Sequence, residues 1–333
     1  MREAESCREK GRAFGHRVYL WGIPWNMRKK LLIRSVFTLL ILLFLLYAGP
    51  RVGAGTGESF YVKNRQLPEP EYVGTITLYH IVTAKTYQGS VTAFLEERAE
   101  AFNARHFGVR ITVEGMGEAD FQERLSYGRR ADMYSFFSGA LYEEQLQELD
   151  YAPEAELREG LAVMPYAAPW CFSGYVRTDA GETSPIAALA NGAEGPVMDL
   201  RAWGDIQRNG EMGLDAAPAG SFTDQVCYLG VARDTDPEKA RWCCLFYEYL
   251  VSEPTQKMLS ALGAFSVRTD VPCPYGNSLL LEMDRAYKKV IAPDPFLYHA
   301  HREKLREEAA AALAGDETAK NSFFQRLAIV IGS

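Results

Sequence analysis

Residues 75–114 read TITLYHIVTAKTYQGSVTAFLEERAEAFNARHFGVRITVE, and their rhythm changes twice. Thr75-Ile76-Thr77-Leu78-Tyr79-His80 alternates and is rich in β-branched residues, which predicts a strand. A loop follows from Thr83 to Ser90. Ser90 is placed to cap a helix in which Phe94, Leu95, Ala99, Ala101 and Phe102 fall near one face. After Asn103–Gly108 a second strand runs from Val109 to Glu114. Downstream, a short helix over Asp120–Tyr127 and an apolar strand over Asp132–Phe137 complete a βαβαβ pattern. Such units close into a parallel sheet with right-handed crossovers, so the fold class is α/β.

Beyond this unit the chain is helical and acidic over Glu143–Glu159, then extended at Met164-Pro165-Tyr166 and from Trp170 to Arg177. Residues 179–220 are rich in Gly, Ala and Pro, with strands expected at Pro196–Trp203 and around Met212–Ala216. Another strand is expected at Cys227–Ala232. Pro237 opens a helix that carries Leu245, Phe246, Tyr249 and Leu250. Ser252-Glu253-Pro254 starts the next, and Gly263 ends it. Asn277–Val290, Pro295–Ala314 and Ser322–Ile331 are helical by pattern.

Towards the N-terminus, residues 49–74 are Gly- and Pro-rich and read as a flexible tether. Before them, residues 31–48 are apolar apart from Arg34 and a few small or polar residues. That run is 18 residues long, at the lower edge of a membrane span, while the 12 residues from Val36 to Tyr47, apolar apart from Thr38, have the size of a signal-peptide core. Arg28-Lys29-Lys30 precedes the run, so the positive-inside rule keeps residues 1–30 cytoplasmic, unless they are an upstream mis-start, and sends the rest outside. The expected location is the outer face of the cell membrane, or secretion if the segment is cleaved. Beyond residue 34 the chain has 27 Lys/Arg against 40 Asp/Glu, a net charge of −13, and so acidic a module repels nucleic acid.

Five of the six cysteines (Cys171, Cys227, Cys243, Cys244 and Cys273) follow the run. None is spaced as Cys-x-x-Cys, so no zinc site is expected. Adjacent Cys243 and Cys244 read as small buried hydrophobes, and one disulfide among Cys171, Cys227 and Cys273 is open. His299-Ala300-His301 places two imidazoles on different sides of a helix, which reads as a solvated face rather than a metal site. The sequence has no Gly-x-Ser-x-Gly, no His-Glu-x-x-His and no Gly-rich loop ending in Lys-Ser/Thr. No cofactor and no enzymatic activity are expected.

Four segments resemble the extracellular solute-binding proteins of ABC importers, the sugar-binding type (family 1) in particular. The opening strand, loop and helix end in FNARHFGVRITVE, similar to the family's F-x-x-x-x-P-x-I-x-V strand entry. Arg130-Ala131-Asp132-Met133-Tyr134 is similar to its small residue, Asp and apolar strand. MPYAAPWCFSGYVRTD resembles its crossover strand. GVARDTDPEKARWCCLFYEYLVSEPTQKMLSALGAFSVRTDV follows its P-E-x-A helix, its F-x-x-x-L-x-S-x-x-x-Q helix and its V-R-x-D return strand.

The resemblance implies a two-lobed periplasmic-binding-protein-like fold with parallel-sheet lobes, preceded by one N-terminal transmembrane segment. Lobe one would span about 75–165 plus the C-terminal helices. A reduced lobe two would span about 170–265, because only Asp179–Val197 separates two strands that a longer helical region divides in the family. Hinges would lie around Met164–Trp170 and Val267–Asp270. Partners implied are a small-molecule solute, with a sugar as the default from aromatic content, and ABC permease subunits. Ligand would lie at strand C-terminal ends, stacked on aromatic faces. By position the candidates are His80, Thr83 and Tyr87 after the first strand, Phe137 and Ser138 after the third, Trp170 and Tyr175 at the crossover, and Trp203 and Phe222 in lobe two. For each ring the competing reading is a core position. Two rival functions are a non-transporting sensor or docking module, which a missing pocket would favour, and an exported hydrolase, which converging carboxylates with one pKa raised by burial would favour.

Overall fold

Strand β1 (Gly74–Ile81) pairs in parallel with β2 (Val109–Met116) on one side and β3 (Met133–Phe137) on the other. Helices α1 (Val91–Asn103) and α2 (Glu118–Ser126) make the two crossovers. This is a computed structural model that describes residues 34–40, 72–142, 144–145, 156–179, 181–209 and 215–332. Two units divide it, Met1–Glu69 and Pro70–Ser333. In the first, residues 34–40 are helical. No helix among the described residues is long and apolar enough to cross a membrane, and most of the 31–48 segment, the tether and the Glu143–Glu159 helix lie outside those residues.

Side chains named by the sequence motifs tie the larger sheet together. Ser90 caps α1 by accepting from the Ala93 amide. The Asn103 amide both accepts from and donates to the Ile111 backbone, at 2.8 and 3.1 Å, which occupies part of the free edge of β2. Asp132 accepts the Thr77 amide at 2.9 Å and pairs with Lys239 at 2.9 Å, joining β1 to α5 (Pro237–Val251). Gln256, at the end of the F-x-x-x-L-x-S-x-x-x-Q pattern, is 1% exposed. Its amide donates to the Trp170 and Leu250 carbonyls and accepts from Ser266 Oγ and the Val267 amide. Arg268 and Asp270, from V-R-x-D, form a two-pronged surface ion pair. Gly263 stands at φ +65°, where a Cβ would meet Tyr87.

The larger sheet is mixed, not parallel, with order β2-β1-β3-β8-β4-β9. Here β4 is Ala168–Phe172, β8 is Val226–Val231 and β9 is Phe265–Ser266. β8 runs antiparallel to both β3 and β4 because it is the strand on which the chain returns from the second sheet. That sheet has three short antiparallel strands in the order β6-β5-β7: β5 (Tyr175–Thr178), β6 (Val197–Asp199) and β7 (Ala216–Pro218). Two helices accompany it, α3 (Pro185–Ala190) and α4 (Leu200–Arg208). The expected strand Pro196–Trp203 therefore ends at Asp199, whose carboxylate caps α4 through the Ala202 amide.

The chain passes between the sheets at Ser173–Gly174 and again at 219–225, rather than at the hinges expected on sequence. These crossings are bonded side by side: Ser173 N–H donates to the Gln225 carbonyl at 2.9 Å, and Thr223 Oγ1 donates to the Ser173 carbonyl at 2.8 Å. A Cβ on Gly174 would strike the Tyr287 ring and hydroxyl. β5 alternates as a two-faced strand must: Val176 joins the main core, and Tyr175 joins a small core with Ala187, Ala188 and Val197. The last helices, α8 (Pro295–Leu313) and α9 (Glu317–Ile331), are expected with lobe one from the resemblance. They share a core with Ile186 of α3 and with Phe222. A helix from Asn277 is present as α7 (Ser278–Ala286); the helix from Glu253 is a single turn, α6 (Glu253–Lys257), followed by a 3₁₀ turn (Met258–Ala261).

Candidate functional site

Where β1 and β3 end, the loop after β1 and the tip of β3 face the smaller sheet. This is where open α/β sheets place their binding crevices. A cleft of about 500 Å³ lies there. The larger sheet contributes Thr83, Ala84, Lys85, Phe137 and Ser138. The smaller sheet contributes Tyr175, the first turn of α3 and the first turns of α4, and α8 contributes Tyr298, Arg302 and Arg306. A second cavity of about 260 Å³, against His80 and the start of α1, shares Ala84, Lys85 and Arg201 with the first.

At the floor of the cleft, Asp224 holds the second crossing, the smaller sheet and α8 together. Its Oδ1 accepts from the Tyr175 hydroxyl at 2.5 Å and its Oδ2 accepts from the Tyr298 hydroxyl. Burial, and then the neighbouring carboxylate, push both phenols well above their ordinary pKa, so both remain donors. On the wall formed by α4, Asp205 accepts from Arg208 at 2.8 Å and from Arg201 at 3.1 Å. The Arg208 hydrogen bond, with that of Arg201, holds its carboxyl below the usual range. Asp199 is engaged in capping α4. Arg306 pairs with Glu303. Lys85 and Arg302 have no carboxylate partner among the described residues.

Of the residues singled out on sequence, the structure brings Thr83, Phe137, Ser138 and Tyr175 to the cleft. His80 lies in the adjoining cavity wall. It is 1% exposed, its Nδ1 is 3.1 Å from Ser135 Oγ, and its Nε2 is without a partner. Burial lowers its pKa to about 4, so the imidazole is neutral. The remaining four are not at the cleft. Trp170 is 0% exposed, stacks on Phe94 with centroids 6.0 Å apart, and donates its indole N–H to Ser135. Trp203 stacks on Tyr87 at 5.7 Å, which latches α4 onto the loop after β1. Phe222 is buried with Phe323 and Leu327. These rings lie in cores because a large apolar ring gains more from burial than from facing a water-filled cleft.

Sequence reasoning missed Lys85, Arg201, Asp224, Tyr298 and Arg302. Arg302 lies in a run of alternating charge that reads as an exposed helix face, and Asp224 precedes a strand as any loop acid does. Their roles come from the way α8 and the second crossing fold back, which no local pattern encodes. His299 is bonded to the Gly139 carbonyl and packs edge-to-face against Tyr142. His301 lies 3.3 Å from Arg326, and no group of metal-ligating side chains is found among the described residues. Cys171 and Cys227 face each other across β4 and β8 as buried free thiols, while Cys273 is half-buried in a loop. Burial pushes the Cys171 and Cys243 thiols up.

No protein-family model matches this sequence, and no curated protein matches it. Solved structures do match by fold. The GacH receptor of Streptomyces glaucescens GLA.O, solved unliganded and in complex with acarbose, superposes with a TM-score of 0.51 at 13% identity. The match covers 77% of this chain and 97% of that one. The extracellular solute-binding protein from Staphylococcus aureus in complex with maltose gives 0.51 at 10% identity, over 78% of this chain and 98% of that one. A cyclo/maltodextrin-binding protein complexed with maltotetraose gives 0.53 at 10% identity, with the same coverage. At these identities the likeness is one of fold: α/β, with a mixed sheet, similar to solute-binding proteins.

Proposed function

We propose that this chain is an extracytoplasmic solute-binding protein that holds a small solute in the cleft between its two sheets and delivers it to an ABC permease. The observation that carries this reading is the cleft itself. It is about 500 Å³ in volume, within the range of small-molecule sites, and it lies at the C-terminal ends of β1 and β3 between two sheets joined by paired crossings. The structural neighbours are binding proteins for small solutes, which supports the same role here. The apolar run at 31–48, with Arg28-Lys29-Lys30 before it, supports delivery to the outer face of the membrane, with the run as anchor or cleaved signal.

The presence of a cleft weighs against the docking-module alternative. A hydrolase would need one carboxylate in the cleft held protonated. Instead Arg208 and Arg201 hold the Asp205 carboxyl below the usual range, the opposite direction. A sugar, the default from composition, is supported by the sugar ligands of the structural neighbours, but not by Trp170, Trp203 and Phe222, which lie in cores. The test is thermal unfolding of the full-length protein against sugars, amino acids, peptides and polyamines. A ligand that binds only the folded state raises the melting temperature by mass action. A shift of several degrees with one class is expected; no shift with any class would overturn the reading.

A further inference from the structure

The charged side chains around the cleft are unequally committed. Each carboxylate in its wall is already engaged within the protein: Asp199 by the Ala202 amide, Asp205 by two arginines, Asp224 by two tyrosine hydroxyls. Two of the four cations are engaged as well, Arg201 by Asp205 and Arg306 by Glu303. The other two, Lys85 on the loop after β1 and Arg302 on α8, line the cleft with no ion-pair partner among the described residues. They come from different elements, and around the cleft as a whole four cations (Lys85, Arg201, Arg302 and Arg306) face three carboxylates (Asp199, Asp205 and Asp224), so positive charge is in slight excess. The chain beyond residue 34 carries a net charge of −13, which makes two uncommitted cations at one concave site harder to attribute to overall composition.

From this we infer that the solute carries an oxyanion, a carboxylate or a phosphate on a small polar molecule, held between Lys85 and Arg302. A planar guanidinium and an ammonium both bind such groups, Arg in two-pronged fashion and Lys as a point charge. At the floor, both oxygens of Asp224 already accept tyrosine hydroxyls. This inference rests on the binding-protein reading and adds a substrate class to it.

The experiment uses full-length protein and titration calorimetry with defined probes: glucose 6-phosphate and glucuronate as the two anionic arms, glucose and maltose as neutral counterparts, and spermidine as a cation. Binding is expected for one anionic arm at least tenfold tighter than for glucose, with affinity falling as salt rises. Lys85→Gln and Arg302→Gln should each weaken that binding about tenfold or more, while Lys85→Arg retains most of it and Arg302→Lys, which keeps the charge but not the two-pronged geometry, loses less than Arg302→Gln. The retained binding guards against a loss through misfolding. The arm that binds identifies carboxylate or phosphate as the anchor. Equal binding of the neutral sugar, binding of spermidine, or anion binding unchanged in both Gln variants would overturn the inference and leave the binding-protein reading standing. No binding of any probe, together with a flat thermal panel, would overturn both.

Discussion

The six-stranded sheet carries its own core and a set of buried polar side chains that lock its strands to its helices, whereas the three-stranded sheet has strands of three or four residues and borrows its packing. One face of β5 belongs to the main core through Val176, and the other is covered by α3, on which α8 packs. Gln256, Asp132 and Asn103 bind within the larger sheet and its helices. Asp224, Tyr175 and Tyr298 bind across the boundary. The difference teaches that motif residues in the larger sheet serve stability, while the floor of the cleft is set by residues that attach the smaller sheet.

Three changes would break or sharpen this contrast. Gln256→Leu leaves two carbonyls, an amide and a hydroxyl without their buried partner. We expect a loss of about 4 kcal/mol in denaturant melts, with the whole unit unfolding in one step. An early transition confined to the smaller sheet would contradict it.

Acid should act next, through His80. Its pKa is about 4 in the folded state against 6.5 unfolded, so the unfolded chain takes up the proton first. Stability from this group is therefore complete above pH 6.5 and falls as pH drops towards 4, by about 3 kcal/mol in all. His80→Asn should flatten that part of the pH–stability curve; an unchanged slope would sink the assignment.

Asp199→Ala should have the smallest effect. It removes the cap of α4, worth about 1 kcal/mol, and hydrogen exchange should rise in α4 while β1–β3 stay protected. Equal loosening in both sheets would erase the distinction.

The larger sheet was legible because its elements are local and periodic. The alternation of residues 75–80, the Ser90 cap and the strand expected at Cys227–Ala232 all recur in the structure within a residue or two. Antiparallel β8 was not legible, since strand direction depends on a partner about ninety residues away. In the smaller sheet, short strands give no periodicity to read, and Leu200–Trp203, the start of α4, reads as a continuation of the strand although Asp199 before an amphipathic run is a cap signal. At the site, positions just past β1 and β3 were readable from strand ends alone, so Thr83, Phe137 and Ser138 are at the cleft. Aromatic identity misled at Trp170, Trp203 and Phe222, because a ring that can stack on a ligand can equally fill a core.

The central claim is that solute is held in the cleft between the sheets. Ala202 is exposed and lines that cleft from α4, so Ala202→Trp should fill it without disturbing either core. Thermal unfolding of wild type and this variant, each with and without the solute that stabilises the wild type, tests the claim most directly. The account predicts the same melting temperature for both proteins without solute and a shift in the wild type alone. A shift of equal size in Ala202→Trp would place binding elsewhere and contradict it.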